Sequence, residues 1–125
     1  MKLRPTIDMS KRRKPAGPAV GEPWALFLDD ERSPRNNDPR WVIARSVEAA
    51  IAEVEARGMP ELASLDFDLG YGRKTGLDFA QWLVAWMTAQ GIDLWDLMRL
   101  NVHSQHPTGR ITLQRYLGDR LQDAA

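Results

Sequence analysis

A chain of 125 residues with 43% hydrophobic content makes one domain with a modest core. No window approaches the roughly 18 apolar residues that a membrane span needs, and the amino terminus lacks the apolar stretch of a secretory signal. With no cysteine and equal totals of 17 basic and 17 acidic side chains, disulfide and thiolate chemistry are excluded, a cytoplasmic compartment is expected and a membrane partner is not.

The balanced charge hides an asymmetry that begins at the first residues. Residues 1–21 carry Lys2, Arg4, Lys11, Arg12, Arg13 and Lys14 against Asp8 alone, so the remainder is acidic. The expectation is a disordered basic tail over 1–22 ahead of a folded domain over 23–125. Such a tail solubilises the chain; a weak, sequence-independent contact with nucleic acid is the sharper reading.

Trp24 to Leu28 is an unbroken apolar run, bounded by three acids and Pro34. That pattern predicts a strand buried on both faces of a parallel sheet. Residues 32–40, with Pro34 and Pro39, cannot hold a helix. Trp41–Ala44 reads as a second strand. Ser46 then caps a helix striped by Val47, Ala50, Ile51 and Val54, which Gly58 and Pro60 terminate. Leu62–Leu65 is the third strand, followed by Asp66, Asp68 and a glycine-rich turn from Gly70 to Gly76. The next helix places Phe79, Trp82, Leu83, Trp86 and Met87 on one face, as core. A short turn over Ile92 to Arg99 is expected, with Trp95 in the core. Leu100–Ser104 forms the fourth strand, Pro107–Arg110 a turn, and Ile111–Gln122 a last helix along Leu113, Leu117 and Leu121.

Alternating strands and helices imply parallel strands whose carboxyl ends share one edge. That edge gathers Asp29 and Asp30, Asp66 and Asp68, and His103 with Ser104. Acids crowded there repel one another unless a cation shares the site. The alternative is a solvated acidic loop with Arg32 as a local partner, and Asp68 or Ser104 could simply bond nearby backbone. Mg2+ suits the four aspartates as a metal site, because it takes one or two carboxylates and leaves positions for water and phosphate oxygens. Zinc fits poorly, with only His103 and His106 at an ill-suited spacing. Gly72, Thr75 and Gly76 precede a helix amino terminus that can receive phosphate, and Arg73, Lys74 and Arg110 flank it. This is not a P-loop, since the Gly-Lys-Ser/Thr ending is missing.

These residues resemble a response-regulator receiver domain. The acid pair Asp29-Asp30 resembles its metal-binding acids, Asp66 its phospho-acceptor, and Ser104 its hydroxyl after the fourth strand. Two features depart from it: the helix between the first two strands is missing, and no lysine follows Lys74 to serve as the fifth-strand lysine. A closer resemblance is to the cyclic-phosphate processing receiver domains of bacteria and their viruses. It rests on Leu26-Phe-Leu-Asp-Asp-Glu-Arg-Ser-Pro34, Ala44-Arg-Ser46, Ser64-Leu-Asp-Phe-Asp-Leu-Gly70, Thr75-Gly76 and Val102-His-Ser-Gln-His-Pro-Thr-Gly-Arg110. It implies a receiver-like (flavodoxin-like) α/β three-layer sandwich with a reduced, mostly parallel four-stranded sheet.

The expected function is Mg2+-dependent hydrolysis of a cyclic phosphate on a nucleotide or RNA end. Asp29, Asp30, Asp66 and Asp68 would form the metal site, with Asp66 also catalytic and His103 the general acid or base. Lys74, Thr75, Ser104 and Arg110 would bind the phosphorylated substrate. Two alternatives stand beside it: a signalling receiver phosphorylated on Asp66, and a degenerate receiver acting as a binding module.

Overall fold

A computed structural model describes residues 17–92 and 99–124, with side chains to residue 118. Four strands, β1 (Ala25–Leu28), β2 (Trp41–Ala44), β3 (Leu62–Leu65) and β4 (Arg99–Val102), form one sheet in the order β2-β1-β3-β4. Every pairing is parallel, where the sequence led us to expect a mostly parallel sheet. All of β1 is buried, as its unbroken apolar run requires of a central strand.

Three helices follow the strands: α1 (Val47–Arg57), α2 (Gly76–Gln90) and α3 (Pro107–Ala124). Ser46 starts α1 by accepting the backbone N–H of Ala49 at 3.1 Å. Thr75 and Asp78 form a reciprocal capping box on α2, and Gly91 closes it in the left-handed conformation. The last helix begins at Pro107, four residues before the expected Ile111. Proline is well placed at a first helical position, where its missing N–H has no partner to lose and its fixed φ is already helical. The expected turn over Pro107–Arg110 is therefore the first turn of α3.

Phe79, Leu83 and Met87 are buried as the α2 stripe predicts, while Trp82 and Trp86 are half-buried against the same core. Leu113 and Leu117 of α3 are buried too. The side chain of Leu121 lies outside the described residues, as do Trp95 and residues 93–98 of the expected turn.

The layering is one-sided. Helix α2 touches both α1 and α3, while α1 lies on β1 and β2 and α3 lies on β4, so all three share one face. Leu26, Leu28, Val42, Ala44, Ala63 and Leu65 point to that face and form the core with them. Strand alternation turns Phe27, Ile43, Ser64 and Asn101 to the opposite face. Among the described residues no helix covers it. The crossovers are the cause: with no helix between β1 and β2, one of the segments that would return over the second face is missing.

Residues 17–22 turn against the domain. The Pro18 carbonyl accepts a hydrogen bond from Arg57, and the α-carbon of Gly17 sits so close to Val42 and Trp41 that an added Cβ would meet the Val42 side chain at 2.5 Å. Residues 1–16 of the expected tail lie outside the described residues. Among those described, no helix is long and apolar enough to cross a membrane.

Candidate metal and phosphate site

The carboxyl ends of β1 and β3 deliver the site. Asp29 follows β1 and is 1% exposed; Asp66 follows β3 and is 6% exposed. A buried carboxylate must find donors or neutralise. Asp29 finds four: the backbone N–H groups of Glu31 (2.8 Å) and Arg32 (2.7 Å) reach Oδ1, and Arg32 Nε and His103 Nε2, each at 3.0 Å, reach Oδ2. Burial pushes the Asp29 carboxyl up, but those hydrogen bonds and the Arg32 charge together outweigh it and hold it below its ordinary 3.8.

The guanidinium of Arg32 also reaches Asp66, Nη2 to Oδ2 at 3.5 Å. The expected local partner is thus shared between both strand-end acids, and supplies the cation that their proximity demands. Its Nη2 additionally donates to the His103 carbonyl at 3.2 Å. Arg45 pins the loop from outside, donating to the carbonyls of Asp29 and Arg32 and to Ser33 Oγ. Neither arginine was expected in an organising role. The signal in the sequence was Arg32 three residues after a buried acid, close enough to fold back on it.

His103 lies just beyond β4, with both ring nitrogens engaged. Nε2 faces Asp29, and Nδ1 is 2.6 Å from Ser64 Oγ, which also accepts from the Asn101 amide at 3.1 Å. The Phe27 ring stacks on the imidazole at 4.3 Å. Burial lowers the His103 pKa from its ordinary 6.5, with Asp29 and Asp66 only partly opposing. A neutral ring beside an ionised Asp29 carries its proton on Nε2, leaving Nδ1 to accept from the Ser64 hydroxyl.

A cavity of about 550 Å3 opens over these groups, lined by Asp29, Asp30, Asp66 and Asp68 together with Arg32 and His106. The four expected acids thus converge. Asp68 at the same time accepts the Gly70 N–H at 3.0 Å, which sets the glycine turn where Gly70 adopts a φ of 114°. The expected phosphate contacts are elsewhere. Ser104 is buried and accepts the backbone N–H of His106 at 3.1 Å, Thr75 is engaged as the α2 cap, and Lys74 and Arg110 are exposed and do not line the cavity. His106, left aside in the sequence reading as a misfit for zinc, does line it. Its Nδ1 accepts the Gly109 N–H at 2.8 Å, so its proton belongs on Nε2 when neutral.

Two glycines hold this loop in place by close approach. A Cβ on Gly76 would lie 2.1 Å from the Asp66 carbonyl oxygen, and one on Gly109 would lie 2.3 Å from the Phe67 ring. Helices α2 and α3 can therefore start directly against the Asp66–Asp68 segment.

Asp29, Asp66 and His103 each offer one ligand atom, all within 4.8 Å of one another, so the three are close enough to hold a metal ion. The two carboxylates, with Asp30 beside them, fit a divalent cation, and His103 joins them as a ligand only by giving up the Nε2 proton it holds toward Asp29. Entry of the cation requires Arg32 to give up part of its hold on the acids.

A family model described as cyclic-phosphate processing receiver domain matches residues 24–119. No curated protein and no solved structure matches the chain at a significant level.

Proposed function

The chain belongs to the cyclic-phosphate processing receiver domain family, and from that premise we propose that it hydrolyses a cyclic phosphate on a nucleotide or RNA end with the help of a divalent metal, Mg2+ in the first instance. The observation that carries this reading is the convergence of Asp29, Asp66 and His103 within 4.8 Å beside a cavity large enough for a phosphorylated sugar. Asp29 and Asp66 would hold the metal, and Asp30 lines the same cavity. A bound divalent cation polarises phosphoryl oxygens and lowers the pKa of water.

The chain's own residues divide the remaining work. Arg32, released from part of its ion pairing, is left beside the cavity to neutralise phosphate charge. His106 is the proton donor, because it lines the cavity while its Nδ1 is occupied by backbone. That moves the proton-transfer role from the expected His103, whose two nitrogens are taken by Asp29 and Ser64. His103 acts instead as a positioning residue for Asp29. Turnover of a 2′,3′-cyclic nucleotide, followed with and without Mg2+ and Mn2+, tests the reading. Absence of turnover with every divalent metal overturns it.

One observation supports the signalling alternative. Arg32 lies beside Asp66, the phospho-acceptor position of receivers, where the missing fifth-strand lysine would otherwise supply a cation. A base-labile adduct at Asp66 after treatment with acetyl phosphate, without cyclic-phosphate turnover, would select that reading.

A further inference from the structure

A second cavity, of about 530 Å3, lies on the sheet face that no described helix covers. Its floor is built by strand alternation from Phe27, Trp41, Ser64 and Asn101, and its rim is the loop carrying Arg35 together with Arg99 at the start of β4. Its charge is the reverse of the acidic cavity. Arg32, Arg35 and Arg99 line it, and no Asp or Glu does. Arg35 and Arg99 form no ion pair among the described residues, and both are exposed. Two exposed guanidiniums without an ion-pair partner on one cavity are available to take an anion through charge-assisted hydrogen bonds.

The rest of the lining is suited to a planar ring with polar edges. Trp41 is half-buried, and its indole N–H is fixed on Asn36 Oδ1 at 2.8 Å. Phe27 meets it edge-to-face at 5.6 Å. Indole faces of this kind take nucleobases by stacking. Asn101 and Ser64 supply hydrogen-bonding groups on the floor. The volume is in the range of small-molecule sites, about 300–1,000 Å3. Arg32 and the His103 ring form the wall between the two cavities, since Arg32 lines both and His103 joins Asp29 on one side to Ser64 on the other.

We propose that this uncovered sheet face binds the terminal nucleotide of the substrate, its base taken by Trp41 and its 5′-phosphate by Arg35 and Arg99. In naming a nucleotide this rests on the phosphoesterase reading; the cation-lined cavity itself does not. The arrangement separates two tasks by charge: an acidic cavity for metal and chemistry, and a basic one for holding the substrate.

Calorimetric titration with adenosine 5′-monophosphate in a chelator-containing buffer tests the site without metal. Binding is expected, weakened about tenfold or more by Arg35→Ala and by Arg99→Ala, as for loss of a charge-assisted hydrogen bond. Trp41→Leu should weaken it too, while Asp68→Asn, which alters only the acidic cavity, should leave it unchanged. Affinity weaker than about 1 mM overturns the proposal. So does loss of binding in Asp68→Asn with retention in the arginine variants, which would put the ligand in the acidic cavity. Equal affinity for adenosine removes the anion role, and equal affinity for inorganic phosphate removes the nucleotide. If turnover of a 2′,3′-cyclic nucleotide that also carries a 5′-phosphate proceeds with unaltered KM in the Arg35→Ala/Arg99→Ala protein, this assignment fails while the phosphoesterase reading stands. If 5′-monophosphate binding shows the expected pattern and no metal supports turnover, the reverse holds.

Discussion

His103 is clamped between Asp29 and Ser64, its Nε2 3.0 Å from the carboxylate and its Nδ1 2.6 Å from the hydroxyl. The clamp joins β1, β3 and the end of β4 through side chains, on the face that no described helix packs. Because burial holds its folded pKa below the ordinary 6.5, the folded state binds fewer protons here than the unfolded chain. The resulting stability is present above about pH 6.5 and is lost as pH falls through the lowered folded value. In metal-free buffer the melting temperature should therefore begin to drop just below pH 6.5, before most carboxylates titrate. His103→Gln should abolish that early drop; an unchanged profile would show that another group causes it.

Arg32 competes with any metal for Asp29 and Asp66. Replacing it with Gln should tighten Mn2+ or Mg2+ binding while lowering metal-free stability by about 1–2 kcal/mol, since a buried carboxylate loses one of its partners. The half-exposed guanidinium keeps that loss modest through solvent screening. Calorimetric metal titration paired with thermal melts reads both effects. Weaker metal binding in the variant would show that Arg32 supports the site rather than screening it.

Gly76 and Gly118 should respond oppositely to the same substitution. A Cβ at Gly76 would strike the Asp66 carbonyl, a backbone atom that cannot step aside without moving the acid. Gly76→Ala should cost at least about 1–3 kcal/mol and weaken metal binding with it. Gly118 lies within α3 with nothing within 4 Å, so Gly118→Ala should be neutral or stabilise by up to about 1 kcal/mol. Urea unfolding of the two variants measures the contrast.

His106 and His103 should separate in kinetics. If His106 donates the proton, His106→Ala should lower cyclic-phosphate turnover about 10²–10⁴-fold and leave metal affinity intact. His103→Ala should damage metal affinity as well, because Asp29 loses the partner that positions it. Equal and purely kinetic losses in both would return the proton-transfer role to His103.

The sequence by itself determined the chain of strands and helices and the acids at their ends. The apolar run Trp24–Leu28, the caps Ser46 and Thr75, and the aspartates at 29 and 66 are local patterns, set by burial periodicity and backbone hydrogen bonding among near neighbours. It also carried the family resemblance, through short motifs at those same strand ends. Only the tertiary structure decided what those groups do to one another. Arg32 bridging Asp29 and Asp66 and His103 turned toward Ser64 depend on which side chains the fold brings side by side, from tens of residues away, whereas Ser104 bonding its own backbone was open to the sequence. The uncovered face was equally out of reach: its residues read as ordinary strand alternation, and only the placement of α1, α2 and α3 on one side leaves Phe27, Trp41 and three arginines around a cavity of their own.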